Sequence, residues 1–262
     1  MSAPGAAGAR APRAAARAAR VAARAAARAA ALVVAAAAAA ACAGCPRPRH
    51  TPLPPSGLDA GAPLAAVVAH LAAARAALHT LRAVHAVALE IEKKTTLRLN
   101  GFLAVQYPDR FRLRATAFGG VTLFDLLHVA GKTEVLAVHP DVASKGPTAL
   151  LWPQLGRDLA LALGLEPLPP YDAMEAAGGR WILRAPGGVT TEVARPGGVV
   201  LREVREGRTV SFADHAAAGG VVVPVAFTVE NAVSVYRADV EVTKVEPNVT
   251  LDPRLFPAEA GK

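Results

Sequence analysis

The sequence predicts a mainly β fold with helices (α+β), a curled antiparallel sheet or incomplete barrel of about eleven strands lidded by helices. Three observations predict it. Apolar residues alternate with polar ones in short runs from residue 84 to residue 245, glycine pairs separate many of those runs, and two segments carry helical spacing.

The first helical segment runs from Pro63 to about Arg82. Its apolar positions Leu64, Val67, Val68, Leu71, Leu78 and Leu81 recur at three and four, with His70, Arg75 and His79 between them. Leu97, Leu99, Gly101, Leu103, Val105 and Tyr107 then alternate with Thr96, Arg98, Asn100, Ala104 and Gln106, and Phe102 is the one large apolar residue on the polar side. Pro108 and Asp109 turn the chain. Phe111, Leu113 and Ala115 alternate with Arg110, Arg112 and Arg114, which makes a hairpin with one apolar and one cationic face.

Further strands are expected at 84–91, 121–129, 133–138, 181–185, 189–194, 199–204, 209–212, 221–229 and 235–245, with glycine pairs at 119–120, 187–188, 197–198 and 219–220. Leu150 to Leu165 reads as the second helix, bounded by Pro147 and by Pro167, Pro169 and Pro170. With no long βαβ alternation, the strands belong to one sheet that must curl to reduce edge exposure. The helices cover its concave face and enclose a hydrophobic cavity. Leu97, Leu99, Leu103, Val105, Phe111 and Leu113, together with Val223, Val225 and Phe227, are expected to line that cavity.

Of 262 residues 53% are apolar and 5% aromatic, so a core is available and its lining is aliphatic. The net charge of +8 belongs to one end. Six of the 29 basic residues (Arg10, Arg13, Arg17, Arg20, Arg24, Arg28) precede residue 45 with no acid among them, which leaves 23 against 21 acidic residues in the rest. A phosphate-tracking groove is excluded on that balance, and nucleic acid is not an expected partner. The two cysteines, Cys42 and Cys45, provide neither a disulfide framework nor a zinc site in the main body.

The N-terminus has the order of an export signal: a basic region, the apolar run Ala29–Ala41, then small residues and a cysteine. Thirteen residues are fewer than the roughly 20 that a membrane-spanning helix needs. Cys42-Ala43-Gly44-Cys45 resembles the lipobox of bacterial lipoproteins. The resemblance implies a signal peptide over 1–44, a covalent diacylglycerol and acyl (palmitate-type) group on Cys45, a lipid anchor and Pro-rich linker over 45–62, and a domain over 63–258. Ala39-Ala40-Ala41-Cys42 is a second register. An ordinary signal peptide and an Arg-rich transit peptide are the rival readings. No other cofactor is expected. Pro46 after the cysteine, in place of the Asp that holds lipoproteins at the inner membrane, implies the outer membrane, facing the periplasm.

Gly101-Phe102-Leu103-Ala104-Val105 followed by Pro108, Phe111 and Arg112 resembles the hairpin of the bacterial lipoprotein-localisation factors LolA and LolB, an incomplete eleven-stranded barrel lidded by helices. Val223-Pro224, the long last strand and the run from Leu251-Asp252 to Leu255-Phe256-Pro257 resemble the end of that superfamily. Tyr107 stands where LolA has an Arg that latches its lid. The resemblance implies an acceptor or carrier of membrane lipid or lipoprotein acyl chains, with a periplasmic carrier protein as a further partner. It also implies that Phe118 and Gly119 form a membrane-insertion loop, whereas the residues alone leave Phe118 equally readable as a buried loop anchor. A structural lipoprotein that uses the sheet for docking and a glycolipid carrier are the alternatives.

Enzymatic motifs are weak, and no catalysis is expected. The histidines lack metal spacing, so no metal site is expected. Gly131-Lys132-Thr133 lacks the earlier glycine of a phosphate loop and reads as a hairpin turn. Ser211, Asp214 and His215 contain triad atoms on one short segment, without a nucleophile elbow.

Overall fold

The computed structural model describes residues 53–93, 95–117, 120–140 and 151–257. Among the described residues two α-helices, α1 (Leu64–Ala76) and α2 (Leu151–Ala162), accompany twelve strands. The first five are β1 (Thr80–Ile91), β2 (Thr95–Gln106), β3 (Arg110–Thr116), β4 (Thr122–Val129) and β5 (Lys132–Val138). After α2 come β6 (Ala173–Ala177), β7 (Arg180–Ala185), β8 (Val189–Ala194), β9 (Val200–Arg205), β10 (Arg208–Ala218), β11 (Val221–Asn231) and β12 (Tyr236–Pro247).

All twelve belong to one antiparallel sheet in the order β5-β4-β3-β2-β1-β12-β11-β10-β9-β8-β7-β6, with β5 and β6 at the edges and no closure into a barrel. The sheet is two meanders joined by pairing of the first strand with the last, from Leu81 opposite Pro247 to Ile91 opposite Tyr236. The connection from β5 to β6 must pass from one edge to the other. Helix α2 lies in that connection and packs on β4, β5, β10 and β11, which is why it lids the sheet.

Period-two patterning sets the faces. In β1 Leu81, Ala83, His85, Val87, Leu89 and Ile91 are all buried, and in β3 Phe111, Leu113 and Ala115 are. These join Val223, Val225, Phe227 and Val229 of β11 and Leu151, Trp152, Leu155 and Leu159 of α2 in one core on the concave face. Gly156 lets α2 approach closely, since a Cβ there would stand 2.2 Å from Thr133 Cγ2. A second core joins Val67 and Leu71 of α1 to Trp181, Leu183 and Val193 of β7 and β8. The opposite face carries a small third cluster, in which Phe102, Ala104, Leu127 and Val129 are covered by Leu251, Leu255 and Phe256 of the C-terminal segment. That covering explains the apolar Phe102 on an otherwise polar face.

The structure corrects the extent of the first helix and refines the strand count. The first helix ends at Ala76, not near Arg82, and Thr80 already begins β1. Leu81 fits helical spacing, but its pairing with Val105 of β2 and Pro247 of β12 outweighs local propensity. Among the described residues there are twelve strands, in keeping with the expected count of about eleven. The additional one, β6, has the sequence AMEAA, which carries little β propensity, and it is held by its pairing with β7 across Gly178-Gly179. Leu58 and Ala62, assigned to the linker, pack against the second core.

Candidate functional site

Arg75 stands in the buried stripe of α1, four residues after Leu71 and eight after Val67. The stripe faces β8 and β9, where Thr191 and Glu203 are opposite one another in the ladder and both are buried. Two register shifts in β10, between Phe212 and Asp214 and between Asp214 and His215, place the Phe212 and His215 rings 5.8 Å apart. Between these elements and the end of α2 lies a cavity of about 290 Å³. Leu71, Ala74, Leu78, Leu161, Leu163, Leu168, Val200, Phe212, Val221 and Pro224 supply apolar wall, and Leu53, Pro54, Pro55 and Ser56 border it as well. Ser56 Oγ donates to the carbonyl of Pro196, which fastens the segment before α1 to the β8–β9 turn.

Polar groups in this cavity are few. The Arg75 guanidinium donates through Nη1 to the carbonyl of Glu166 at 2.6 Å and makes no ion pair among the described residues. Burial holds its pKa below the usual arginine value, and Glu203 opposes that effect. Glu203 is itself paired with Arg205, which also bonds Glu166 at 3.0 Å. Burial pushes the Tyr107 phenol up to about 12, with Arg75 opposing. Burial also raises Tyr171, against the opposing effect of its hydrogen bond with Thr191 Oγ1 at 2.7 Å. The His215 ring is pushed down by burial, against the pull of Asp214. The pocket thus has a mixed lining, with a cation, an acid, two histidines and two phenols among apolar side chains.

All nine residues expected to line a cavity face the concave core: eight are buried and Leu97 is partly buried against them. Leu103, Leu113 and Phe227 border a void of about 20 Å³ beneath α2, together with His85, Phe124, Leu155 and Leu159. None of the nine borders the 290 Å³ cavity. Sequence reasoning missed Arg75, Tyr107 and Tyr171 as cavity residues. The available signal was a cation inside the apolar stripe Val67, Leu71, Leu78. Cys45, Phe118 and Gly119 lie outside the described residues, as does the signal segment 1–44.

Ala130 and Gly131 form the β4–β5 hairpin turn, both with positive φ, as Gly131-Lys132-Thr133 suggested. Asp214 Oδ1 accepts from the backbone N–H of His215 at 2.8 Å. No helix among the described residues is long and apolar enough to cross a membrane. No group of three His, Cys, Asp or Glu among them is placed to hold a metal ion.

No family model and no curated protein matches the sequence. The backbone is similar to solved structures of the LolA superfamily. A LolA superfamily protein from Nitrosomonas europaea aligns over 69% of this chain and 91% of its own, with 10% identity and a TM-score of 0.47. An outer membrane lipoprotein-sorting protein domain from Vibrio parahaemolyticus aligns over 73% and 95%, with 8% identity and a TM-score of 0.46. A DUF1329 family protein from Desulfovibrio piger aligns over 73% and 94%, with 9% identity and a TM-score of 0.45.

Proposed function

We propose that this protein is a membrane-anchored, non-enzymatic carrier or acceptor of acyl chains in the bacterial cell envelope, held at the outer membrane by lipid on Cys45. The 290 Å³ mostly apolar cavity carries the reading. It sits at the lower edge of the roughly 300–1,000 Å³ range of small-molecule sites. Moving an acyl chain from bilayer to such a cavity exchanges one apolar environment for another, so the transfer needs no chemical energy source. The lipobox-like Ala43-Gly44-Cys45 supports the anchor, since two or more acyl chains hold a protein stably at a membrane.

A second reading has its own observation. The core under α2 is filled to a residual void of about 20 Å³, as a docking module's would be. Native mass spectrometry of the protein extracted from its own membrane separates the two: co-purified lipid supports carriage, and a lipid-free chain apart from its anchor supports docking. Cys45→Ser is expected to release the protein from membranes and to abolish incorporation of labelled fatty acid. Release by Cys42→Ser in its place would move the anchor to the other register.

A further inference from the structure

We propose that the cavity between α1 and β8–β11 selects an anionic single-chain amphiphile, with Arg75 binding its carboxylate or phosphate headgroup. This rests on the carrier reading and names its cargo class.

Three observations converge. Arg75 is a cavity-lining cation whose hydrogen-bond partner is a neutral backbone carbonyl, that of Glu166. A guanidinium carries five N–H donors in a fork that suits two-oxygen anions, so one carbonyl leaves most of its capacity unused. The acid in the same wall, Glu203, is paired with Arg205 and not with Arg75. Finally, Tyr107 and Tyr171 border the same space, and burial keeps both phenols protonated and able to donate to an anion. The remaining wall is mostly apolar, with His70, His215, Thr191 and Ser56 interspersed, and of a size for one chain rather than several. A headgroup at Arg75 would leave its chain against Leu71, Leu78, Leu161 and Val200.

Arg75 also has a structural duty. It reaches from the last turn of α1 over Gly164, where an added Cβ would stand 3.6 Å from Nε, and so ties α1 to the segment after α2. A purely structural Arg75 would affect all ligands alike, whereas a headgroup receptor affects only charged ones.

The test is displacement of a fluorescent fatty-acid analogue from the full-length protein by laurate, lauryl phosphate and uncharged monolaurin. The expected result is that laurate and lauryl phosphate bind at least tenfold more tightly than monolaurin. Arg75→Gln should abolish this preference, so that the three ligands bind alike, and Arg75→Lys should keep part of it. A preference for only one of the two anions assigns the headgroup and supports the proposal. Equal binding of all three ligands by the unaltered protein overturns it and leaves carriage standing, a result that needs no variant to fold. Failure of all three to bind overturns the carrier reading itself.

Discussion

The His85 ring lies across Gly101 on the neighbouring strand, so closely that a Cβ at Gly101 would stand 2.8 Å from His85 Nε2 and 2.2 Å from the carbonyl oxygen of Arg114. The glycine of the β2 hairpin is therefore a space requirement. Gly101→Ala is expected to cost about 1–3 kcal/mol through overpacking. Removing the ring in a Gly101→Ala/His85→Ala double variant should restore only part of that, because the clash with the backbone oxygen persists. Denaturant midpoints of the two variants check this, and full recovery would refute the backbone contact.

His85 also predicts a pH dependence. Both ring nitrogens are buried without a hydrogen-bond partner, and burial pushes the pKa from 6.5 down to about 4. Between those values the unfolded chain takes up a proton that the folded chain excludes. Stability should therefore fall as pH drops from about 6.5 toward 4, by up to ~1.4 kcal/mol per pH unit. His128 and His215, also lowered by burial, add to the slope in the same direction. His85→Leu should flatten it measurably in urea titrations at pH 7, 6 and 5 without loss at pH 7.

Arg112 and Arg114 both bond Asp125 across β3 and β4, at 2.9 and 2.8 Å, on the face away from the concave core. Burial raises the Asp125 carboxyl, but the hydrogen bonds from the two arginines outweigh it and hold the pKa below 3.8. The stabilisation is thus present at neutral pH and lost as pH falls below 3.8 through the lowered value. Arg112 is 16% exposed and Arg114 48%. Arg112→Ala should therefore cost about 1–3 kcal/mol, and Arg114→Ala less. Thermal unfolding of the two variants ranks them, and the opposite order would count against the geometry.

Asp158 ties the lid down. Its carboxylate accepts from Gln154 Nε2 at 2.8 Å, Asn231 Nδ2 at 2.7 Å and the Tyr236 hydroxyl, with Arg208 at 3.6 Å. Asp158→Ala leaves buried Asn231 and Tyr236 short of a partner and is expected to cost about 3–5 kcal/mol. Amide exchange should speed up in α2 before it does in α1. Uniform acceleration across the whole sheet would instead mean that Asp158 supports global stability and not the lid.

Much of the sheet was legible because burial on one face imposes a period of two. The alternation in Leu97–Tyr107 and Phe111–Ala115 gave the correct inward face. Strand β6 was not legible, because AMEAA has no alternation of its own and depends on β7 for its structure; only Gly178-Gly179 marked it. Phe102 looked anomalous because its cover, Leu255 and Phe256, is remote in sequence. The pocket beside α1 was not legible for a related reason. Inward-facing strand residues lead to a packed core wherever a helix fits tightly, and whether α2 would fit depended on Gly156 meeting Thr133, a contact no local pattern encodes.

Pairing of β1 with β12 has a consequence for how the domain is made. The first meander leaves the ribosome with β1 as an unpaired edge, and its partner strand does not exist until residue 247 has been synthesised. High sequence separation of this kind slows folding, because loop-closure entropy is lost before the contacts form. The order of the strands along the chain therefore postpones completion of the sheet to the end of synthesis.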